Sequence, residues 1–421
     1  MKQTHLKTEV AAGITTFFTM VYIIIVNPSI LASEGIGMPF SGVLTATVVL
    51  AFSMTFLMGI YAQLPFAVAP GIGINALFAY TIVVRNHVPW TIALGIVFWS
   101  GVLFLICSLT SIRVKIADAI PQNLKFASSL GIGIFLTFIG LKNAGIIIHD
   151  PVTLLRLGHL NRNSAFVMIG LCWMILLIRK KNPFAFLSGI GLITFFGFLD
   201  GQIRVPSPLF SQPDFHSTFF KLDIKNSLKF AFIPSMISIL FTDLFDSISA
   251  FMGCSQALKL QEQDQSPKNL REGLIVDSWA TLCAGLFGTS AGVTFIESAA
   301  GIEVGGRSGL TSIVTALCFL PCLFLAPLAG MVPSYATAPV LILVGSLMFK
   351  TIRFIRVDEF EDLVPAFLTA ILIPLTFSIT QGILWGLSSH VALYLAVGRQ
   401  KEIPPMLYGL ASIAILMIVY G

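Results

Sequence analysis

Apolar runs recur from one end of this chain to the other, each near the length that crosses a hydrocarbon layer about 30 Å thick, with short polar joints between them. They fall at 11–31, 41–60, 66–84, 90–111, 126–148, 164–180, 183–199, 229–256, 272–288, 291–303, 308–330, 336–349, 362–377 and 380–397. This pattern predicts about fourteen transmembrane helices, followed by an apolar stretch from Met406 to Tyr420 that either crosses or lies on the surface. Helices satisfy every backbone N–H and C=O internally, and the short alternating strands of a membrane barrel are missing from the pattern. The first run, Ala11 to Leu31, is too long for a signal peptide, and no small-residue cleavage site follows before Glu34. It is expected to be a retained first span.

Two runs are interrupted. In Phe66–Tyr80, Pro70, Gly71 and Gly73 break the apolar sequence and Asn75 lies just beyond; in Gly288–Gly301 the break is at Gly292 and Glu297 lies beyond. Gly73 and Gly292 are 219 residues apart, and each segment is third in a run of about seven spans, the second run starting near Lys229. Interrupted segments at matching places in two halves point to the binding site of an inverted-repeat transporter. The plainer reading, that the glycines only let helices pack closely, does not explain the polar residue past each break.

Composition narrows the class. With 56% hydrophobic and 11% charged residues and a mean hydropathy of +0.90, the chain lies outside the soluble globular range. An N-terminus in the cytoplasm puts 17 of the 25 Lys and Arg residues inside: Lys2, Lys7, Arg113, Lys115, Lys125, Arg179, Lys180, Lys181, Lys259, Lys268, Arg271, Arg307, Lys350, Arg353, Arg356, Arg399 and Lys401. The net charge of +5 is then a topology signal, and no nucleic acid is expected as a partner. The joint Asp200–Leu228 reads as a cap or loop. Cys107, Cys172, Cys254, Cys283, Cys318 and Cys322 sit in or beside apolar runs as small core residues, with no disulfide framework. Cys318 and Cys322 share a helical face but lack further ligands, so neither a metal nor a cofactor is expected. His5, His149 and His216 read as surface residues.

Carboxylates at membrane depth carry the chemistry, because one at a helix centre costs about 2.5–3.5 kcal/mol even on the lenient insertion scale. Asp243, Asp246, Asp277 and Glu297 are so placed, with no internal cation near them in the sequence. A proton-coupled solute site has these properties. Asp243 and Asp246, three apart, share a face with Ser247. A metal-dependent intramembrane enzyme built on that pair would need phosphate-binding Lys or Arg nearby, and none is visible. Ligand contact is favoured for Asp243 and Glu297; bracing of a discontinuous helix suits Asp246 and Asp277. Helix N-termini offering N–H groups, opposite carboxylates that accept them, suit the edge of a flat purine and repel an inorganic anion. Phe78, Phe245 and Phe295 are candidates for stacking on it.

In four stretches the chain resembles the azaguanine-permease-like adenine, guanine and hypoxanthine permeases of the nucleobase and ascorbate transporter group, relatives of the xanthine and uracil permeases. They are Gly13-Ile-Thr-Thr-Phe-Phe-Thr-Met-Val-Tyr-Ile-Ile-Ile-Val-Asn-Pro28, Ala69-Pro-Gly-Ile-Gly-Ile-Asn75, Asp243-Leu-Phe-Asp246, and Ile296-Glu-Ser-Ala-Ala-Gly301 with Gly305-Gly-Arg-Ser-Gly-Leu310. The resemblance implies an all-α polytopic membrane protein with a 7+7 inverted repeat and two discontinuous spans. A core domain (11–111 and 229–330) would move against a gate domain (126–199 and 336–397), with 404–421 as a C-terminal apolar segment. It further implies secondary active import of hypoxanthine, guanine or adenine by proton symport across the cytoplasmic membrane, often as a homodimer. Asp243 and Glu297 would bind the base with Asn75, Thr294 and the backbone at Gly73 and Gly292. Glu297 or Asp243 would carry the proton, with Asp277 and Asp246 in support. The family's Ser/Thr-rich stretch before the second acid is here Ala291-Gly-Val-Thr294, a departure that bears on substrate range. Rival readings are a uracil or xanthine carrier of the same fold, the Asp243/Asp246 metal enzyme, and a passive channel.

Overall fold

The computed structural model describes residues 6–110, 119–258 and 267–420, so Lys2, His5, Arg113, Lys115 and Lys259 lie outside the described residues. The first pass is made of α1 (Leu6–Met20) and α2 (Ile23–Leu31), and the second of α3 (Phe40–Leu57) with a π-helical end at Met58–Ala62. The third is half strand and half helix: β1 (Val68–Pro70), then α4 (Ile72–Ala76), which runs on as a π-helix over Leu77–Arg85. There follow α5 (Trp90–Leu109), α6 (Gln122–Asn143), α7 (Arg162–Arg179) and α8 (Ala185–Leu199). A short hairpin, β2 (Ile147–Asp150) with β3 (Leu154–Leu157), fills the joint between α6 and α7. It turns at Pro151 within a joint too short to show a strand pattern.

The second run begins with α9 (Ile233–Leu258) and α10 (Pro267–Phe287). Its third member is again half strand, β4 (Gly292–Thr294), and half helix, α11 (Ser298–Val304). After it come α12 (Gly309–Phe319), α13 (Ser334–Phe349), α14 (Phe360–Thr376), α15 (Ile379–Ala396) and a further helix, α16 (Pro405–Tyr420), packed on α15. Among the described residues, seven helical stretches are long and apolar enough to cross a membrane, and four more are apolar but shorter. Apolar side chains face outward, as lipid requires: α7 exposes Met168, Ile169, Trp173, Ile175 and Leu176.

The packing shows the 7+7 inverted repeat directly, because contacts recur when the halves are exchanged. Where α3 packs on α12, α10 packs on α5; where α1 meets α12, α9 meets α5; where α6 meets α14, α13 meets α7; and α7 lies on α8 as α14 lies on α15. The pair α6 and α13 is its own counterpart. Small residues permit these approaches. A Cβ at Gly133 would lie 2.7 Å from the Gly345 carbonyl on α13, and one at Gly285 would lie 2.8 Å from the Leu94 carbonyl on α5.

Most span limits match expectation within a few residues, but α6 starts and ends earlier than 126–148, α10 starts earlier than 272–288, and α12 ends at Phe319, well short of the expected 330, where a 3-10 turn over Leu320–Phe324 takes over. His149 and His216 are exposed. All six thiols are free; Cys254 and Cys322 are buried, but Cys172 is exposed on α7 and so departs from the core placement expected of it. An apolar run shows periodicity poorly when every face is apolar, so the lipid-facing side of α7 could not be read from it.

Candidate functional site

Non-helical backbone at membrane depth survives only where each polar group finds a partner. The two strands cross antiparallel, pairing Val68 with Thr294, Ala69 with Val293 and Pro70 with Gly292. Gly71 N–H donates to the Ala291 carbonyl at 3.0 Å, and Phe295 N–H donates to the Ala67 carbonyl at 2.9 Å. These two bonds are mates under the repeat, with one offset of 224 residues linking 67 to 291 and 71 to 295. The true structural partner of Gly73 is therefore Glu297, five residues past the glycine that sequence spacing paired with it.

Side chains complete the bonding. Thr55 Oγ1 donates to the Val68 carbonyl at 3.0 Å and accepts Val68 N–H at 2.9 Å. In the other half Thr281 Oγ1 bonds the Gly292 carbonyl at 3.1 Å. Ser298 Oγ accepts Ala67 N–H at 2.9 Å. Asp277 accepts both the N–H of Thr294, at 2.8 Å, and its hydroxyl, at 2.9 Å. That is the bracing geometry, and it turns Thr294, one of the expected base contacts, toward Asp277.

The expected site residues gather around this crossing. Asp243 and Asp277 are fully buried and share Ser247, whose hydroxyl bonds Asp243 at 3.3 Å and also reaches Asp277; Thr281 donates to Asp243 as well. Asp246 is half-buried beside the start of α4, where a Cβ at Gly71 would lie 3.6 Å from its Oδ2. Among the described residues Asp246 accepts no hydrogen bond, and neither it nor Glu297 has a Lys or Arg ion-pair partner. Glu297, half-buried just before α11, accepts a 2.7 Å hydrogen bond at Oε1 from the Tyr22 hydroxyl. Asn75, in the first turn of α4, is fully buried; its Oδ1 accepts from Ser290, and its Nδ2 has no partner. Gly73 lies against α6, 2.9 Å from Ile132 Cγ2 for an added Cβ, and Gly292 faces Ala280 at 2.8 Å. Phe78, Phe245 and Phe295 are all buried, with Phe245 stacked on Phe241.

Two functional-looking residues were missed by sequence reasoning. Tyr22 falls at the break between α1 and α2, and Asn27 joins Thr47 at 2.6 Å and Thr289 at 2.8 Å. Both lie in the Gly13–Pro28 stretch, and a hydroxyl and an amide inside an apolar run were the available signal. A cavity of about 450 Å³ between α2, α8 and the 328–332 joint is apolar, and no site residue lines it. Among the described residues no group of three or more His, Cys, Asp or Glu is placed to hold a metal ion.

A membrane-embedded crossing of two half-strand, half-helix spans, lined by acids and an amide, is the arrangement from which inverted-repeat transporters build their sites. The family model described as "Permease family" (Xan_ur_permease) matches residues 7–385, and the chain belongs to that family. It is 40% identical to the putative permease MJ0326 of Methanocaldococcus jannaschii, over 99% of this chain and 96% of that one. It is 35% identical to the adenine permease AdeP of Escherichia coli K12 (99% and 94% covered) and 37% identical to the guanine/hypoxanthine permease PbuO of Bacillus subtilis 168 (96% and 95% covered). The fold is that of the transmembrane domain of the cyanobacterial bicarbonate transporter BicA, with a TM-score of 0.68 at 16% identity, covering 90% of this chain and 98% of that one.

Proposed function

We propose that this permease imports purine nucleobases, hypoxanthine, guanine or adenine, by proton symport across the cytoplasmic membrane, with its N-terminus inside. The names of AdeP and PbuO support the substrate class. The observation that carries the reading is the pairing of opposite hydrogen-bonding characters at one crossing. Glu297 and Asp246 supply carboxylate acceptors, and Asn75 supplies an amide with an unpartnered N–H. A purine edge presents donors and acceptors side by side and can engage both. Asp243 acts beside them, held by Thr281 and Ser247. Asp277 supports the site through Thr294, and Glu297 or Asp243 carries the proton.

Spans 1–4 and 8–11 form the core in this reading, and spans 5–7 and 12–14 the gate. The contacts support the grouping: α6 packs closely on both α13 and α14, whereas α12 packs on α1 and α3, and α3 on α10. Movement of one group past the other would expose the crossing to each side in turn. Two copies would pair as a homodimer.

The test is uptake of labelled hypoxanthine, adenine, guanine and uracil into cells lacking their own base carriers, with and without a proton uncoupler. Uncoupler-sensitive accumulation of purines is expected. Movement of uracil alone would replace the purine assignment, and equilibration without accumulation would replace symport with a passive pore.

A further inference from the structure

Tyr22 lies where the first span breaks, its backbone between the end of α1 at Met20 and the start of α2 at Ile23. Its side chain is 1% exposed and faces two ways. The hydroxyl donates to Glu297 Oε1 at 2.7 Å. The ring packs on Phe186, in the first turn of α8, with centroids 4.9 Å apart. One turn earlier on α1, Phe18 packs on Phe184 at 4.3 Å. Further out, Lys181 pairs with Glu303, at the end of α11, at 2.9 Å. Residues 181–186 thus follow the first span and α11 from the protein surface inward to the Glu297 carboxylate.

We propose that Tyr22 is a positioning residue that orients the Glu297 carboxylate with its hydroxyl and links that carboxylate to the first turn of α8 through Phe186. This deepens the base-transport reading and rests on it. The chemistry is that of a carboxylate with two oxygens and about four lone-pair sites. Tyr22 occupies one site on Oε1 and fixes the plane of the group, which leaves Oε2 to accept an N–H from a base. A base that shifts the carboxylate moves the phenol, and the phenol is wedged against an element assigned to the gate. Occupancy of the site and packing of α8 are coupled through one side chain.

The experiment separates the hydroxyl from the ring. For Tyr22→Phe, which keeps the ring, KM for purine uptake is expected to rise about tenfold, the loss of a hydrogen bond to a charged acceptor, and Vmax to fall as well, because the hydroxyl is the link between the carboxylate and α8. For Phe186→Ala, which leaves the hydroxyl on Glu297, Vmax alone is expected to fall about tenfold, with KM within about twofold and Phe186→Tyr restoring Vmax. Wild-type KM and Vmax in Tyr22→Phe would overturn the proposal. So would a loss of both constants that is accompanied by a lower melting temperature, the mark of a merely structural role.

A substrate-free readout keeps this distinct from failure of the base reading. In purified protein, Glu297→Gln should alter hydrogen exchange at residues 185–190 in the wild-type background and not in the Tyr22→Phe background. If wild type moves no purine yet this dependence is found, the substrate assignment fails and the link stands. If Glu297→Gln leaves 185–190 unchanged, the link fails whatever the substrate.

Discussion

At the crossing, Gly73 and Glu297 occupy matched positions in the two halves of the molecule, yet one carries no side chain and the other the carboxylate of the site. The contrast extends along both strands. Thr55 braces β1 alone, bonding both the N–H and the C=O of Val68. Its counterpart Thr281 bonds Gly292 and also meets Asp243. The last residue of β1 is Pro70, which has no N–H to satisfy; the matching residue of β4 is Thr294, whose N–H is taken by Asp277. The same backbone is therefore braced by neutral groups in one half and by carboxylates in the other. The first half supplies close packing against α6, and the second supplies charge. An inverted repeat fixes where two helices break without fixing which break becomes chemical.

The sharpest way to break this comparison is to neutralise the charged member. Glu297→Gln keeps shape and should lower base uptake about a hundredfold, since a charged acceptor becomes a neutral amide facing a donor. Uptake assays on cells with matched amounts of protein in the membrane would check it. Near-normal uptake would mean that the second half is not the chemical half.

The braces give the next largest effect. Asp277→Ala strands the Thr294 N–H and hydroxyl and should lower stability by about 3 kcal/mol, whereas Thr55→Val strands one N–H and one C=O and should lose about 2 kcal/mol. Thermal melting of the purified variants measures both, with Thr55→Ser retaining most of the wild-type value. If Thr55→Val is the more damaging, charge is not what distinguishes the two braces.

Gly73 is the packing member of the matched pair. A Cβ there would lie 2.9 Å from Ile132 Cγ2, so Gly73→Ala should slow transport about fivefold by overpacking the contact with α6. Ile132→Ala in the same chain should restore the rate. Failure of that rescue would move the role of Gly73 from packing to backbone conformation.

Much of this was legible in the residues. Run lengths gave the spans, and the paired interruptions at Gly73 and Gly292 gave the repeat, because glycine and proline stand out in apolar sequence. The exact equivalence did not follow, since glycine spacing suggested 219 residues whereas the bonding register of the strands is 224. Three residues of strand per half leave no periodic trace that a sequence could reveal. The acids were conspicuous because membrane depth makes them costly. Their division of labour was not: Asp277 meets Thr294 only because β4 turns its N–H that way, and Tyr22 reaches Glu297 across 275 residues.

The smallest effect tests the same brace in water. The joint after α8 crosses the ends of α12, α3, α10 and α5, with Ser211 N–H bonding the Phe324 carbonyl, Phe220 N–H that of Leu286 and Asp223 N–H that of Thr91. Its centre is Asp214, which accepts Ser41 Oγ at 2.7 Å, Ser217 Oγ at 2.6 Å and the N–H groups of His216 and Ser217. Asp214 thus does at the surface what Asp277 does at depth. Partial burial alone would push its carboxyl up, but the Ser217 and Ser41 hydroxyls and the two N–H donors together hold it below the ordinary value of 3.8. A carboxyl held lower in the folded than in the unfolded chain stabilises above the unfolded value, and that stabilisation is lost as pH falls through the folded one. Asp214→Asn should therefore melt below wild type by a constant margin from about pH 8 to pH 5, equivalent to about 1 kcal/mol after solvent screening. The margin should shrink only below about pH 4. A margin that already closes near pH 6 would mean that the strap is held by something other than this carboxylate, and the likeness between the two braces would end at geometry.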